Sequence, residues 1–232
     1  MLDLVRAYEN YLTKVKQASA NTVSSYIRDI RQFSAWIHET CEKDVVEASQ
    51  VNISDYLSAL QEEGRSGATI SRNLASLKNF YAYLVSSGFC EKTPVTDIHI
   101  DRGEKKLPQI LTGREIELLL SQPLCVDAKG FRDKAMLELL YAAGIRVTEL
   151  IGLDLEDYNP ELKSIRVGSG KKSRSIPLYP VALRALNAYL TQIRDTMVVD
   201  AGETALFVNV NGSRMSRQGF WKILKHYQST AR

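Results

Sequence analysis

Cysteine is scarce in this 232-residue chain: Cys41, Cys90 and Cys125 are the only three, widely spaced and in no CxxC pair. That excludes a disulfide framework and a cysteine zinc site, and leaves buried thiols as the reading. Histidine is equally sparse, with His38, His99 and His226 far apart and no ligand pattern beside them, so no metal site is expected. No apolar run approaches the roughly 18 residues a membrane helix needs. The N-terminus MLDLVRAYEN alternates charge with apolar residues and does not read as a signal peptide. These absences predict a cytoplasmic protein with no membrane insertion, no metal and no cofactor.

Excess charge is also missing, since the net charge is only +3. Its distribution says more: residues 1–100 hold 10 Lys and Arg against 12 Asp and Glu, and residues 101–232 hold 20 against 15. An anionic partner would have to be met in the first half by a basic face, because bulk charge there is slightly negative. Apolar residues make up 44% of the chain, enough for an ordinary core, and the length fits one or two domains, with two expected.

Four amphipathic segments stand before residue 93. The first covers about Asp3–Lys16, with Leu4, Tyr8, Tyr11, Leu12 and Val15 recurring at helical spacing. The second follows a cap at Ser19 or Asn21, with Val23, Tyr26, Ile27, Ile30, Phe33 and Ile37 inward. A shorter one spans about Ser54–Gln61. The fourth follows residues 64–67, with Ile70, Leu74, Leu77, Phe80, Tyr81 and Leu84 on one face and Gly88 as C-cap. The first 93 residues are predicted to form an all-helical domain.

Residues 94–108, PVTDIHIDRGEKKLP, lose the period and read as a linker. From 109 to 232 the expected elements are a helix at about Gly113–Ser121, a long helix through FRDKAMLELLYAAG and another beginning near Val147. A hairpin over SIRVGSGKKSRSIPL comes next, followed by helices at about Pro180–Arg194 and Arg217–Tyr227 with a possible strand ALFVNV between them. The predicted fold is mainly α, in two domains, the second holding a small antiparallel β-sheet.

The most informative string is GIRVTELIGL, residues 144–153. It resembles the G-x-R-x-[ST]-E-L box of the tyrosine recombinases, the phage integrase family, most of all its Xer type and the D-type member. RDKAMLELLYAAGIRVTEL resembles the family's helix entering that box, and NTVSSYIRDIRQF and TISRNLASLKNFYAYL resemble helices of its N-terminal, SAM-like DNA clamp. The resemblance runs over nearly the whole chain. It implies Arg146 as the phosphate clamp and Glu149 as the group orienting the site. A guanidinium suits the first role because its planar fork holds two phosphate oxygens and stabilises transition-state charge.

The resemblance further implies site-specific DNA strand cleavage and rejoining through a 3′-phosphotyrosyl link, without ATP or metal. The implied partners are a duplex DNA recombination site and a second related recombinase, or copies of the chain, in a tetrameric synapse. The implied role is chromosome dimer resolution and segregation. DNA contacts are expected on the polar faces of the second helix (Asn21, Thr22, Ser25, Arg28) and the fourth (Ser71, Arg72, Asn73, Ser76, Lys78), and at Lys172 and Arg174 of the hairpin.

The hairpin departs from the family's GKG-x-K-x-R. Ser169 stands where the lysine that protonates the leaving 5′ oxygen belongs, and Lys171, two places along, is the candidate to replace it. Two other matches fail. GSGKKS lacks a P-loop's first glycine, with Ile165 in its place, and His99-Ile100-Asp101-Arg102 has the letters of the family's H-x-x-R box but precedes Arg146. The family's second half, with H-x-[LI]-R-H, a later His or Trp and the nucleophilic tyrosine, is absent after Arg146, and Tyr227 has the spacing of a packing residue. The chain therefore reads as a truncated recombinase that binds DNA without cutting. The alternative is a naturally short, non-catalytic regulator of a recombination site.

Overall fold

Serine hydroxyls start the helices that build the first half. Ser19 accepts from the Thr22 amide at the head of α2 (Ala20–Cys41), and Ser66 does the same for Thr69 at the head of α4 (Gly67–Ser86). Between them α3 runs over Gln50–Glu62, four residues earlier than the apolar pattern marks, because Ser49 and Asn52 form a reciprocal cap ahead of the first apolar turn. The computed structural model describes residues 2–96, 98 and 109–231. They form two units divided at residue 109, and the fold is mainly α.

In the first unit the apolar stripes of α2, α3 and α4 meet in one core. Ile30, Phe33, Ile37, Ile53, Leu77, Phe80, Tyr81 and Leu84 are fully enclosed. Phe33 meets Tyr56 edge to face at 5.1 Å, and Tyr8 meets Phe80 the same way at 5.1 Å. Truncating such a ring, as in Phe80→Ala, costs about 3–5 kcal/mol. Tyr8 belongs to α1 (Leu2–Asn10), which continues as a π-helical turn over Tyr11–Val15. That wider turn shifts the helical phase, so Val5 and Leu12 are buried while Val15, expected inward, is 68% exposed. α4 ends at Gly88, whose φ of +75° lets Phe89 bond back to Leu84. Val95 packs into the same core and Gln50 holds the Thr96 carbonyl, so the aperiodic stretch begins within this unit. Residues 99–108, with the His99–Arg102 letters, lie outside the described residues.

The second unit opens with α5 (Gly113–Ser121), capped by Thr112 and Glu115. α6 (Ala128–Ala143) is capped by Asp127 and closed by Gly144 at φ +58°. After the short α7 (Val147–Gly152) comes a three-stranded antiparallel sheet in the order β1 (Tyr158–Asn159), β2 (Ser164–Val167), β3 (Arg174–Pro177). Ile165 pairs with Ile176 and Val167 with Arg174. From Ile165 on, β2 alternates, with Ile165 and Val167 inward and Arg166 outward on Asp157 and Glu156, while Ser164 at its start is buried as well. α8 (Pro180–Gln192), α9 (Arg194–Met197) and α10 (Arg217–Thr230) complete the unit.

The expected strand at ALFVNV is a buried extended segment outside the sheet. Ala205, Leu206, Phe207 and Val208 are enclosed, yet only isolated bridges tie them to Asp154 and Arg214. Two buried arginines replace the missing ladder. Arg194 donates to the Ala205 and Glu203 carbonyls and Arg132 to the Val208 carbonyl at 3.2 Å. Backbone groups of a buried segment must be paired; beside the two arginines, the Leu206 amide donates to the Leu153 carbonyl, the Phe207 carbonyl accepts from the Met215 amide, and the Ala205 and Val208 amides donate to Glu203 and the Tyr189 hydroxyl.

Candidate functional site

α7 places Arg146 and Glu149 together. Gly144 and the buried Ile145 turn the chain at the end of α6, leaving Arg146 extended (φ −72°, ψ 152°) as the residue before the first helical turn. In that conformation its amide donates to Glu149 Oε2 at 2.8 Å, and its carbonyl accepts from Leu150. The side chain points away: 81% of it is exposed, with Nη1 3.9 Å from Glu149 Oε1.

The Glu149 carboxylate is held by the hairpin. Arg174 on β3 donates Nη1 to Oε1 at 2.9 Å and Nη2 to Oε2 at 3.3 Å, a two-pronged grip. The Arg174 hydrogen bonds first, and the Arg146 amide second, bring the Glu149 carboxyl down to about 2, and Arg174 is raised in turn. Glu149 therefore stays ionised at any working pH. It fixes the head of α7, while the Arg146 guanidinium keeps its fork turned to solvent, the arrangement needed to receive an anion.

The turn between β2 and β3 is set by its glycines. Gly168 sits at φ +89°, and a Cβ there would come 2.7 Å from the Lys172 carbonyl oxygen. A single 3₁₀ turn then covers Gly170–Lys172. Ser169 and Lys172 are exposed on it. The Lys171 side chain lies outside the described structure. Of the expected catalytic trio, the structure thus brings Arg146 and Glu149 together, and it adds Arg174, expected as a DNA contact, as their partner.

In the first unit the expected surface divides. Asn21, Arg28 and Lys78 are exposed, and Thr22 and Ser25 are half-buried, with Thr22 engaged in the Ser19 cap. Asn73 and Ser76, expected on the polar face of α4, are instead enclosed, at 1% and 0% exposure. Asn73 accepts from the Tyr56 hydroxyl at 3.2 Å and donates to the Thr69 carbonyl at 3.1 Å. Ser76 donates to Asp29 Oδ2 at 2.8 Å. The same Asp29 oxygen accepts from Arg72 Nη1, and Ser71 Oγ is buried without a hydrogen-bond partner. Asp29, 2% exposed, was missed as a partner. The signal was present: an acidic residue inside the stripe Tyr26, Ile27, Ile30, Phe33 marks a charge that must be paired.

Tyr227 packs, as its spacing implies, and donates to Asp133 Oδ2 at 3.1 Å. Among the described residues no cluster of three metal-ligating side chains occurs and no helix is long and apolar enough to cross a membrane.

Comparison with known proteins completes the picture. Residues 109–232 match the model of the phage integrase family, and residues 5–88 match that of the phage integrase N-terminal SAM-like domain. The chain belongs to the phage integrase family. A putative tyrosine recombinase of Caldanaerobacter subterraneus subsp. tengcongensis is 42% identical over 97% of this chain and 76% of the relative. Tyrosine recombinase XerD of Staphylococcus epidermidis is 33% identical over 98% and 77%. Among solved structures, a lambda integrase dimer bound to a COC′ core site superposes with a TM-score of 0.73 at 15% identity, covering 100% of this chain and 78% of that one. XerH bound to palindromic difH superposes at 0.71 and 19%, covering 98% and 67%. This tyrosine recombinase is of the Xer type by its relatives, and its fold is theirs.

Proposed function

We propose that this tyrosine recombinase chain recognises a duplex DNA recombination site and supplies the phosphate-clamping half of the site that cuts it. The observation that carries this is the exposed Arg146 fork beside an ionised Glu149. Arg146 would hold the scissile phosphate through its non-bridging oxygens, gaining most as charge builds in the transition state. Glu149 would hold the head of α7 in place, and Lys171 or Lys172 would bring a proton to the leaving oxygen. Asn21, Thr22, Ser25, Arg28, Arg72 and Lys78 would contact DNA from the first unit, whereas Ser71, expected there too, has its hydroxyl buried. The two units would thereby act as DNA clamp and catalytic domain. Relatives named as tyrosine recombinases XerD and XerC support the Xer type, and on that reading the role would be chromosome dimer resolution, with a tetramer of the chain or of two related recombinases as the working assembly.

These 232 residues contain no H-x-x-R box after Arg146 and no tyrosine beyond Tyr227, so the chain by itself should bind without cutting. A nicked suicide duplex tests this: the expected result is a shifted complex and no covalent adduct surviving SDS. Binding should weaken steeply from low to moderate salt, as phosphate contacts release counterions. A flat salt response, or an SDS-resistant band, overturns the corresponding half of the proposal. Ser169 in place of the family lysine favours a second reading, a non-cutting regulator that occupies recombination sites. Sequencing the gene beyond the Arg232 codon separates the two: an in-frame H-x-x-R box and tyrosine support the recombinase, and a stop codon supports the regulator.

A further inference from the structure

Arg72 and Asp29 form a pair whose placement exceeds what holding two helices together requires. Asp29 lies on α2 at 2% exposure, and its Oδ2 receives both Arg72 Nη1 and Ser76 Oγ from α4. Arg72 is not enclosed: 34% of its side chain reaches the surface. The α2–α4 contact is already made by Ile30, Phe33, Leu74 and Leu77, and a buried charge pair is a poor fastener, since apolar residues of similar volume commonly serve as well or better. What a buried carboxylate does supply is a fixed heading for the arginine. With Nη1 tied down, Nη2 and Nε remain as donors in a fixed plane on a side chain that is 34% exposed.

A flexible arginine is adequate for a phosphate, which accepts from many directions. A base edge is more demanding, because guanine offers O6 and N7 in one plane and rewards a fork already aligned with them. We infer that Arg72 is a base-reading residue, set by Asp29 to recognise a guanine in the major groove, and that Asp29 is its positioning residue. This rests on the reading of the first unit as DNA-binding.

The test begins with the wild-type 232-residue chain and a random-sequence duplex library, from which the bound fraction is enriched and each position of the enriched site is then substituted in turn. Arg72→Lys and Arg72→Gln are expected to erase discrimination at a single G·C pair, by about tenfold to a hundredfold, while preferences elsewhere stay. Asp29→Asn should flatten the same pair although Arg72 keeps its charge. Should Asp29→Asn fail to fold, judged by thermal melting, Arg72→Lys still decides, because it leaves a cation beside Asp29. A uniform loss across all sequences with a shallower salt slope would make Arg72 a phosphate contact and overturn the inference. Unchanged selectivity with reduced melting temperature would reduce the pair to a fastener and overturn it as well. Wild-type chain that binds duplex without enriching any sequence overturns it too. Wild-type chain that binds no duplex at all sinks the DNA-binding reading itself.

Discussion

Arg174 grips Glu149 with both arms of its guanidinium, at 2.9 and 3.3 Å, while the Arg146 guanidinium stands 3.9 Å from the same carboxylate. Two arginines thus flank one acid, and only one is committed to it. The strand that carries Arg174 also carries one end of the Gly168–Ser173 turn, so the grip ties that turn to the head of α7. Loss of Arg174 would release the turn and leave Arg146 as the sole cation near Glu149, inviting it to fold back.

That arrangement has a pH signature. The Glu149 carboxyl falls from its ordinary 4.5 to about 2, chiefly through Arg174. A depressed carboxylate stabilises the fold fully above its unfolded value, and the contribution fades as pH falls toward the folded one. The stability difference between wild type and Glu149→Gln should therefore be flat above about pH 4.5 and shrink between there and about pH 2. In Arg174→Gln the Glu149 midpoint, followed by carboxyl NMR, should move up toward 4.5. A midpoint unmoved by that change would assign the depression elsewhere.

Gly168→Ala should destabilise the hairpin by about 1–3 kcal/mol, because it imposes a left-handed backbone on a residue with a Cβ and drives that Cβ to 2.7 Å from the Lys172 carbonyl. Urea unfolding measures it. The same change at Gly64, equally left-handed but with open space around it, should cost less.

Tyr227→Phe removes one donor from buried Asp133, which is then left to Arg132 alone. A hydrogen bond to a charged group contributes about 1.5–3 kcal/mol, so the melting temperature should fall. DNA affinity measured below the transition should stay at the wild-type value. An affinity loss at full folding would give Tyr227 a place on the binding surface.

Much of this was legible in sequence because helices announce themselves locally. The stripes of α2 and α4, the cap at Ser19 and the left-handed Gly88 all depend on neighbours within a turn or two. What could not be read depends on partners far along the chain. Ala205–Val208 has the composition of a strand, and partners distant in sequence, Arg132, Leu153 and Tyr189 among them, show why it needs no sheet. Asn73 and Ser76 are polar, so the pattern turns them outward, whereas Tyr56 and Asp29 draw them in. The π-helical turn at Tyr11–Val15 changes the period itself, and a period of 3.6 carried through it exposes the wrong residue. At the candidate site the box containing Arg146 and Glu149 was visible as a motif, but the grip of Arg174, 25 positions away, required the sheet.

Arg146 carries the strongest prediction, to be tested in a cleavage-competent protein containing this sequence. Its side chain is 81% exposed and makes no contact shorter than 3.9 Å to Glu149 among the described residues, so Arg146→Ala should leave stability within about 1 kcal/mol of wild type. If the fork clamps the scissile phosphate, its interaction is strongest as charge develops, and cleavage should slow by about 10²–10³. DNA affinity should fall far less, because many phosphate contacts remain. Arg146→Lys should recover little, since an ammonium cannot present two parallel donors. Single-turnover cleavage on a saturating nicked duplex separates the chemical step from binding. A variant that cleaves at the parental rate would reduce Arg146 to a solvated neighbour of Glu149 and remove the observation on which the proposed function stands.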